Sequence, residues 1–251
     1  MKHYYSSIFS YYGGKSKLAP KYPKPIGDVV VEPFCGGASY SLLYYRREIF
    51  INDKDPVTAS VWRFLLQPDA LDWIERFVPK VVEVQTPVSE IFDEQLHPGL
   101  FSLMRCLAAQ GVMGTRDVRL RVSPWGARDW SKAVAQLQYW IPKISHWKFS
   151  SGDYTEVENR EATWFVDPPY ANAAGSIYRT NDVDYGVLAD WCRSRKGQVI
   201  VCENDGATWL PFKSFFDRMG SFTGRDSVTR ASGGEVLWVQ GDEGLFTFKD
   251  W

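Results

Sequence analysis

Short apolar runs alternate with amphipathic stretches in the first part of the chain. The runs 28–31 and 49–51 are continuously apolar and bounded by polar or turn residues, a pattern typical of strands buried on both faces. The stretches 38–47 and 56–66 have helical periodicity, and the second begins with a proline, which suits a first helical turn. The pattern predicts strands alternating with helices.

The middle of the chain has a different texture. From 67 to 145 no strand of this core type is found, and amphipathic stretches at 87–110 and 129–140 predict helices separated by a basic loop. The first texture then returns. The elements predicted there are strands at 147–149, 164–166 and 199–202, a helix at 183–195, and a hairpin of 236–239 with 245–248 around Gly241 and Gly244.

This order predicts an α/β fold, a Rossmann-like doubly wound sheet with a mainly helical lobe inserted between its halves. We expect one catalytic domain formed by 1–66 and 146–251, and an insertion formed by 67–145. The length of 251 residues suits one core with a smaller inserted lobe.

Composition narrows the function classes. No apolar run is long enough to span a membrane and the first residues lack a signal-peptide pattern, so we expect a cytoplasmic protein. The four cysteines and three histidines are scattered, which predicts reduced thiols and no metal site. The net charge of −1 does not indicate a nucleic-acid binder, although a DNA enzyme can concentrate its cations locally.

The most informative motif directly follows the apolar run 164–166. Ligands of open α/β sheets bind at the carboxyl ends of strands, so chemistry is expected here. The carboxylate of Asp167 and the carbonyl of Pro168 can accept the two N–H bonds of an amino group and turn its lone pair toward a methyl donor. The two prolines make the turn rigid, and an aromatic ring can stack on a base. The motif is Asp167-Pro168-Pro169-Tyr170; the alternative is a plain proline turn.

Three further motifs suit an adenosine cofactor. A turn rich in small residues follows the run 28–31, at Glu32-Pro33-Phe34-Cys35-Gly36-Gly37, and lets a ligand approach the backbone. Asp53 follows the next strand, where a carboxylate can bind ribose hydroxyls, or it caps the following helix, as Asp55 also could. Asp153 can accept a hydrogen bond from the cofactor's adenine, or it is a turn aspartate.

The fourth motif lies near the start of the chain, at Tyr12-Gly13-Gly14-Lys15. It is not a triphosphate-binding loop, because Phe9 stands where that motif needs a glycine. The lysine can instead pair with a carboxylate of the cofactor.

A basic segment with interleaved tryptophans occupies 116–132. It can contact phosphates, or it is a solvated loop with half-buried tryptophans. Its candidate DNA-binding residues are Arg116, Arg119, Arg121, Trp125, Arg128 and Lys132.

Taken together and in this order, the motifs resemble the Dam-like family of DNA adenine methyltransferases over nearly the full length of the chain. The segment 227–239, which contains Glu235, is similar to the family's closing segment. The resemblance implies S-adenosylmethionine as methyl donor, double-stranded DNA with a flipped adenine as substrate, and target recognition by the insertion. It also implies a bacterial or phage-infected cell as the source. The stretch 111–116 matches the family's Asn-rich aromatic signature only loosely, so the recognised sequence is not implied.

Three alternatives remain open at this point. A cytosine amino group could be the acceptor, although a serine in place of Asp167 is commoner in such enzymes. RNA or a protein glutamine could be the substrate, although an asparagine in place of Asp167 is commoner there. The chain could also bind DNA or S-adenosylmethionine without catalysing transfer.

Overall fold

The computed structural model describes residues 7–92, 97–109, 113–115, 121–216 and 234–240. Seven strands form one sheet in the order β3-β2-β1-β4-β5-β7-β6. The strands are β1 (Val29–Glu32), β2 (Glu48–Asn52), β3 (Lys148–Ser150), β4 (Ala162–Val166), β5 (Gly197–Asn204), β6 (Lys213–Phe216) and β7 (Glu235–Val239). β1 to β5 are mutually parallel, and β7 is antiparallel to both of its neighbours.

Helices cover both faces of the sheet. They are α1 (Ser39–Leu43), α2 (Pro56–Leu65), α3 (Ala70–Phe77), α4 (Val88–Ile91), α5 (Pro98–Ala109), α6 (Pro124–Ile144) and α7 (Tyr185–Arg193). This architecture confirms the predicted α/β, Rossmann-like fold class.

The central strands are apolar at successive positions because alternate side chains pack into two different cores. On β4, Phe165 joins the core that contains α1, α2, α5 and α6, whereas Trp164 and Val166 join the core beside α7. β5 divides in the same way. The central strands are therefore present because each has two apolar faces to bury, whereas β3 lies at the sheet edge and its Lys148 and Ser150 are exposed.

The helices of the inserted stretch share a core with the sheet. α5 packs against α2 and α6, and buried residues of these helices belong to the same cluster as those of β1 and β2. The domain limits 1–66, 67–145 and 146–251 stay a prediction. All four cysteines are buried and free, as expected.

Two sequence predictions about elements were wrong. The stretch 87–110 is not one helix, because α4 ends at Ile91 and α5 begins at Pro98, whose ring favours a first helical turn. The basic loop ends earlier than expected, since Ser123 caps a helix that starts at Pro124. The predicted strand 236–239 is present as β7, which pairs with β5 and β6, and its predicted hairpin partner, 245–248, lies outside the described residues.

Candidate active site

A cavity opens at the carboxyl ends of β1, β2 and β4. β1 lies between β2 and β4, so the chain reverses its strand order here, and ligands of such sheets bind at this kind of crevice. The cavity and its open mouth together hold about 800 Å³ of empty space. Its lining includes these sequence-predicted residues: Tyr12, Gly13, Gly14, Lys15, Glu32, Pro33, Phe34, Cys35, Gly36, Gly37, Asp53, Asp153, Asp167 and Pro169.

The glycine turn after β1 lies between the cavity and the ring of Tyr11. Gly36 has a positive φ of 46°, and a Cβ built on it would stand 2.7 Å from Cε1 of Tyr11. Gly114 is packed against the same ring, where a Cβ would stand 2.6 Å from Cζ. Tyr11 therefore explains the small residues at least as directly as ligand approach does. It was missed because no motif marks it.

The two aspartates after β2 have different tasks. Asp55 is the cap of α2, accepting hydrogen bonds from the backbone N–H and the hydroxyl of Thr58. Asp53 lines the cavity and accepts backbone N–H bonds from Gly36 and Asp55, each at 2.9 Å. Burial raises the pKa of Asp53 to about 6, opposed by those two backbone hydrogen bonds. Asp53 is thus a carboxylate held rigidly at the cavity wall.

Lys15 and Asp167 form an ion pair across the cavity. The Lys15 ammonium lies 2.8 and 2.9 Å from the two carboxylate oxygens and also donates to the carbonyl of Gly13 at 3.2 Å. The Lys15 side chain is 9% exposed and that of Asp167 is 20% exposed. The predicted partner of Lys15 was a cofactor carboxylate; in the structure the lysine pairs with the candidate catalytic residue.

Burial and neighbouring charge oppose each other at Asp167. Burial, together with the negative charge of Glu235, raises its pKa to about 6, while Lys15 acts to lower it. Glu32 lies beneath the turn, accepts the Ser41 backbone N–H at 2.6 Å, and has a pKa raised to about 8 by burial. Near neutral pH, Asp167 is therefore mainly charged, whereas Glu32, which lines the same cavity, is mainly protonated.

The prolines of the motif differ in how their carbonyls are used. The Tyr185 hydroxyl donates to the carbonyl of Pro169 at 2.7 Å. Within the part of the chain that the structure describes, no hydrogen bond reaches the carbonyl of Pro168. Pro168 itself is buried and is not in the cavity lining. The Pro168 carbonyl can therefore still accept a hydrogen bond.

Tyr170 lies beside the ion pair. Its ring has the Lys15 ammonium 4.8 Å from the centroid, and its hydroxyl donates to Oε1 of Glu235 at 3.0 Å. Burial, followed by the charge of Asp167, raises the pKa of Tyr170, so the hydroxyl stays a donor. Glu235 comes from the closing segment 227–239, but its contact with Tyr170 had no sequence signal.

Asp153 performs the turn role and also faces the cavity. Its Oδ1 accepts the backbone N–H and the hydroxyl of Thr155, and its Oδ2 lies 3.3 Å from the Lys54 ammonium. Lys54 also bonds Asp182 at 2.8 Å, and all three side chains line the cavity. The predicted hydrogen bond to a cofactor adenine stays a prediction.

A strap formed by residues 178–183 lies along the cavity and was not predicted as part of the site. The Tyr178 hydroxyl donates to the carbonyl of Tyr12 at 3.0 Å, and Arg179 pairs with both Asp55 oxygens at 2.7 Å. Arg179 also bonds the carbonyls of Gly114 and Thr115. The strap thus joins the candidate cofactor segment, the cap of α2 and the short segment 113–115.

The described part of the basic segment, residues 121–132, contributes nothing to the cavity lining. Arg116 and Arg119 fall outside the described residues. Arg121 bonds the carbonyl of Gln85, and Arg128 stacks on Trp125, 3.9 Å from its ring centroid. Lys132 lies 3.5 Å from Asp129, which Arg128 also approaches at 3.8 Å. The helix N-terminus presents these exposed groups, with Trp125 56% exposed. The interpretation as a loop with two half-buried tryptophans is wrong for Trp125, which is exposed and helical, and for Trp130, which is fully buried.

Two absences hold for the described residues only. No group of three or more His, Cys, Asp or Glu side chains is arranged there to hold a metal ion. None of the described helices has the length and apolar character needed to cross a membrane.

Comparisons with known proteins give a distant likeness to solved structures alone. No family model matches the chain, and no curated protein sequence matches it. Among solved structures, the chain is similar to the rRNA methyltransferase aviRa from Streptomyces viridochromogenes. The TM-score is 0.40 at 14% identity, covering 89% of this chain and 80% of the other.

Proposed function

We propose that this chain transfers a methyl group from S-adenosylmethionine to the exocyclic amino group of adenine in double-stranded DNA. One observation carries the proposal. Asp167, at the end of β4, faces the same cavity as the glycine turn and Asp53, and the carbonyl next to it is not hydrogen-bonded within the described residues. The candidate acceptor carboxylate and a candidate cofactor site therefore share one crevice, and Pro168 directly follows that carboxylate in the chain.

The acceptor pair addresses the weakness of the nucleophile. An adenine amine delocalises its lone pair into the ring, so it reacts poorly while it is planar. Two acceptors that take its two N–H bonds favour a pyramidal nitrogen with its lone pair directed away from them. The Asp167 carboxylate has lone-pair sites beyond those that Lys15 uses, and the Pro168 carbonyl supplies the second acceptor.

Lys15 keeps the carboxylate charged and in place. A neutral Asp167 would present a hydroxyl that donates, which is the wrong polarity for an amine N–H. Because Lys15 acts to lower the pKa of Asp167 against burial, the acid is ionised above about pH 6. The lysine is therefore the group that makes the buried acceptor usable at neutral pH.

The wall of the cavity suits an adenosine-type cofactor. Asp53 would accept from the ribose hydroxyls through Oδ1, which keeps a lone pair beside the bond from Asp55, whereas Oδ2 accepts from Gly36 and the Cys35 thiol; Asp153 faces the same space. When bound, the cofactor would supply the methyl group: the amine lone pair forms the new N–C bond, the S–C bond breaks with its electron pair left on sulfur, and the amine gives up one proton.

DNA contact is proposed for the basic segment. Ser123 donates to the carbonyl of Ala108, so the start of α6 lies at the end of α5, close along the chain to Met113, whose carbonyl bonds Tyr12 beside the cavity. Exposed cations at this place could bind phosphates while the target base enters the crevice, at a flipping cost of a few kcal/mol. The assigned side chains are those of the six DNA-binding candidates in the segment 116–132.

Replacing Asp167 by alanine tests the proposal. With tritiated S-adenosylmethionine and DNA from cells lacking adenine methylation, we expect D167A to lose about 10²–10³-fold in transfer rate, as when one preorganised polar contact to a reacting group is removed. D190A is the matched control, because Asp190 is exposed on α7 and pairs only with Arg193 at 3.0 Å. Transfer by D167A at near the wild-type rate would refute the assignment.

A further inference from the structure

Glu235 lies at the same edge of the sheet as the cavity. It is the first residue of β7, and because β7 is antiparallel to β5, its first residue pairs with Asn204 at the carboxyl end of β5. This strand pairing places the Glu235 carboxylate beside the motif 167–170, which follows β4.

The carboxylate joins two tyrosines from distant parts of the chain. Its Oε1 accepts the Tyr22 hydroxyl at 2.8 Å and the Tyr170 hydroxyl at 3.0 Å. Hydrogen bonds to an ionised acceptor are about twice as strong as neutral ones, so this contact restrains both phenols. Each of the two rings therefore has its polar end held by the same oxygen.

One of the two tyrosines is immobilised independently. Tyr22 is 1% exposed, and its ring lies 5.2 Å from Phe215 in a stacked arrangement and 5.0 Å from Phe165. Phe165 is itself stacked on Tyr40 at 4.3 Å. Packing among these aromatic rings therefore holds Tyr22 in place as a hydrogen-bond donor to Glu235.

Tyr170 has less support of its own. It is half-buried and is not in the cavity lining, and its side chain contacts the Lys15 ammonium, Glu235 through a hydrogen bond, and the neighbouring Asp167 carboxylate. We infer that Glu235 is a positioning residue, which fixes the Tyr170 ring against the acceptor pair so that an incoming base meets a preset stacking surface. The inference rests on the proposed function, because it assigns the ring to a base.

A double-mutant cycle tests the inference. E235A removes the acceptor, Y170F removes the donor while keeping the ring, and E235Q keeps an acceptor oxygen without the charge. We expect E235A and Y170F each to lower kcat for DNA methylation about tenfold, the effect of losing one charge-assisted hydrogen bond. The double variant should be no worse than E235A, because E235A already removes the Tyr170 contact together with the Tyr22 contact. E235Q should recover most of the rate.

Two readouts separate positioning from general damage. The Kd for S-adenosylmethionine, measured by calorimetry, should stay unchanged in E235A, and E75A, an exposed glutamate on α3, should match wild type throughout. In protein labelled with 3-fluorotyrosine, the Tyr170 resonance, assigned by its loss in Y170F, should shift in E235A but not in E75A.

The outcomes are distinct for each idea. A wild-type kcat in E235A, effects that multiply in the double variant, or an unmoved Tyr170 resonance would overturn the role of Glu235. Absence of label transfer by the wild-type protein would instead refute the methyltransferase assignment, and the Tyr170 resonance would then still decide whether Glu235 holds the ring.

Discussion

The cavity at the carboxyl edge and the basic segment at the start of α6 differ in how their charged side chains are held. Around the cavity, Lys15 and Asp53 are buried and Asp167 is mostly buried, and each makes at least two short polar contacts. At α6, Arg128 and Lys132 are 60% and 79% exposed and share one weak partner, Asp129. Chemistry needs fixed geometry, whereas phosphate contact needs only charge within reach.

This difference predicts how substitutions behave. A buried charged group that loses its partner keeps its desolvation cost, so single changes around the cavity should have large effects. An exposed cation loses only a screened attraction, so single changes at α6 should have small and salt-dependent effects.

The largest effect on stability is expected for R179A. Arg179 neutralises Asp55, which is 2% exposed and caps α2, so the variant leaves a buried carboxylate without its cation. We expect a loss of about 3–5 kcal/mol in unfolding free energy, measured by urea denaturation. R193A, which breaks an exposed pair with Asp190, should change it by less than about 1 kcal/mol. Equal losses of unfolding free energy in R179A and R193A would contradict the distinction between buried and exposed charged pairs.

A smaller effect is expected for D53A, on cofactor binding. Loss of hydrogen bonds from the ribose to a charged acceptor should weaken the Kd for S-adenosylmethionine about 10–150-fold, corresponding to about 1.5–3 kcal/mol. Calorimetry measures this directly, with D190A as the control. If D53A bound the cofactor as tightly as wild type, Asp53 would be structural, serving only the N–H groups of Gly36 and Asp55.

The pH dependence tests the charge of Asp167. Its carboxylate form is required, so kcat/KM for DNA at saturating S-adenosylmethionine should fall as pH drops through about 6. Lys15 acts to lower that pKa and Glu235 raises it, so K15M should move the acidic limb to higher pH and E235Q to lower pH. Saturation with S-adenosylmethionine keeps the titration of Asp53 from contributing to the acidic limb.

The titratable and charged groups around Asp167 are Lys15, Tyr22, Glu32, Tyr170, Tyr178, Cys202, Glu203 and Glu235. An acidic limb that stays at the same pH in both variants would mean that another group controls it.

The smallest effect is expected at α6. Removing one phosphate contact should reduce the slope of log K against log salt concentration by about 0.9, so R128A/K132A should reduce it by about 2. The double variant should weaken binding of unrelated duplexes as much as that of substrate. K148A is the control, because Lys148 is an exposed cation on β3, which follows the C-terminal end of α6 rather than its start. An unchanged slope would exclude these two residues from the DNA interface.

The fold was predictable because its strands are apolar on both faces. β1, β2, β4 and β5 each appear in the sequence as a continuous apolar run, and the turn residues after them locate the crevice. β6 was not predicted, because Lys213 and Ser214 interrupt its apolar pattern. The helix start at Pro124 was hidden by the surrounding arginines, although Ser123-Pro124 is a regular capping pair.

The site was predictable only where a motif follows a strand. Asp53, Asp153 and Asp167 do so, and all three line the cavity. Tyr178 and Arg179 come from an irregular connection, and Glu235 reaches the site only because β7 runs antiparallel beside β5. Such contacts depend on the arrangement of strands in the sheet, which local sequence does not encode.

The identity of the methylated nucleoside tests the central claim most directly. DNA from cells lacking adenine methylation is incubated with the wild-type protein and S-adenosylmethionine, digested to nucleosides and analysed by mass spectrometry. The acceptor pair at Asp167 and Pro168 predicts N6-methyl-2′-deoxyadenosine as the product. Methylated cytosine alone, or no methylated nucleoside while RNA or protein becomes labelled, would contradict it.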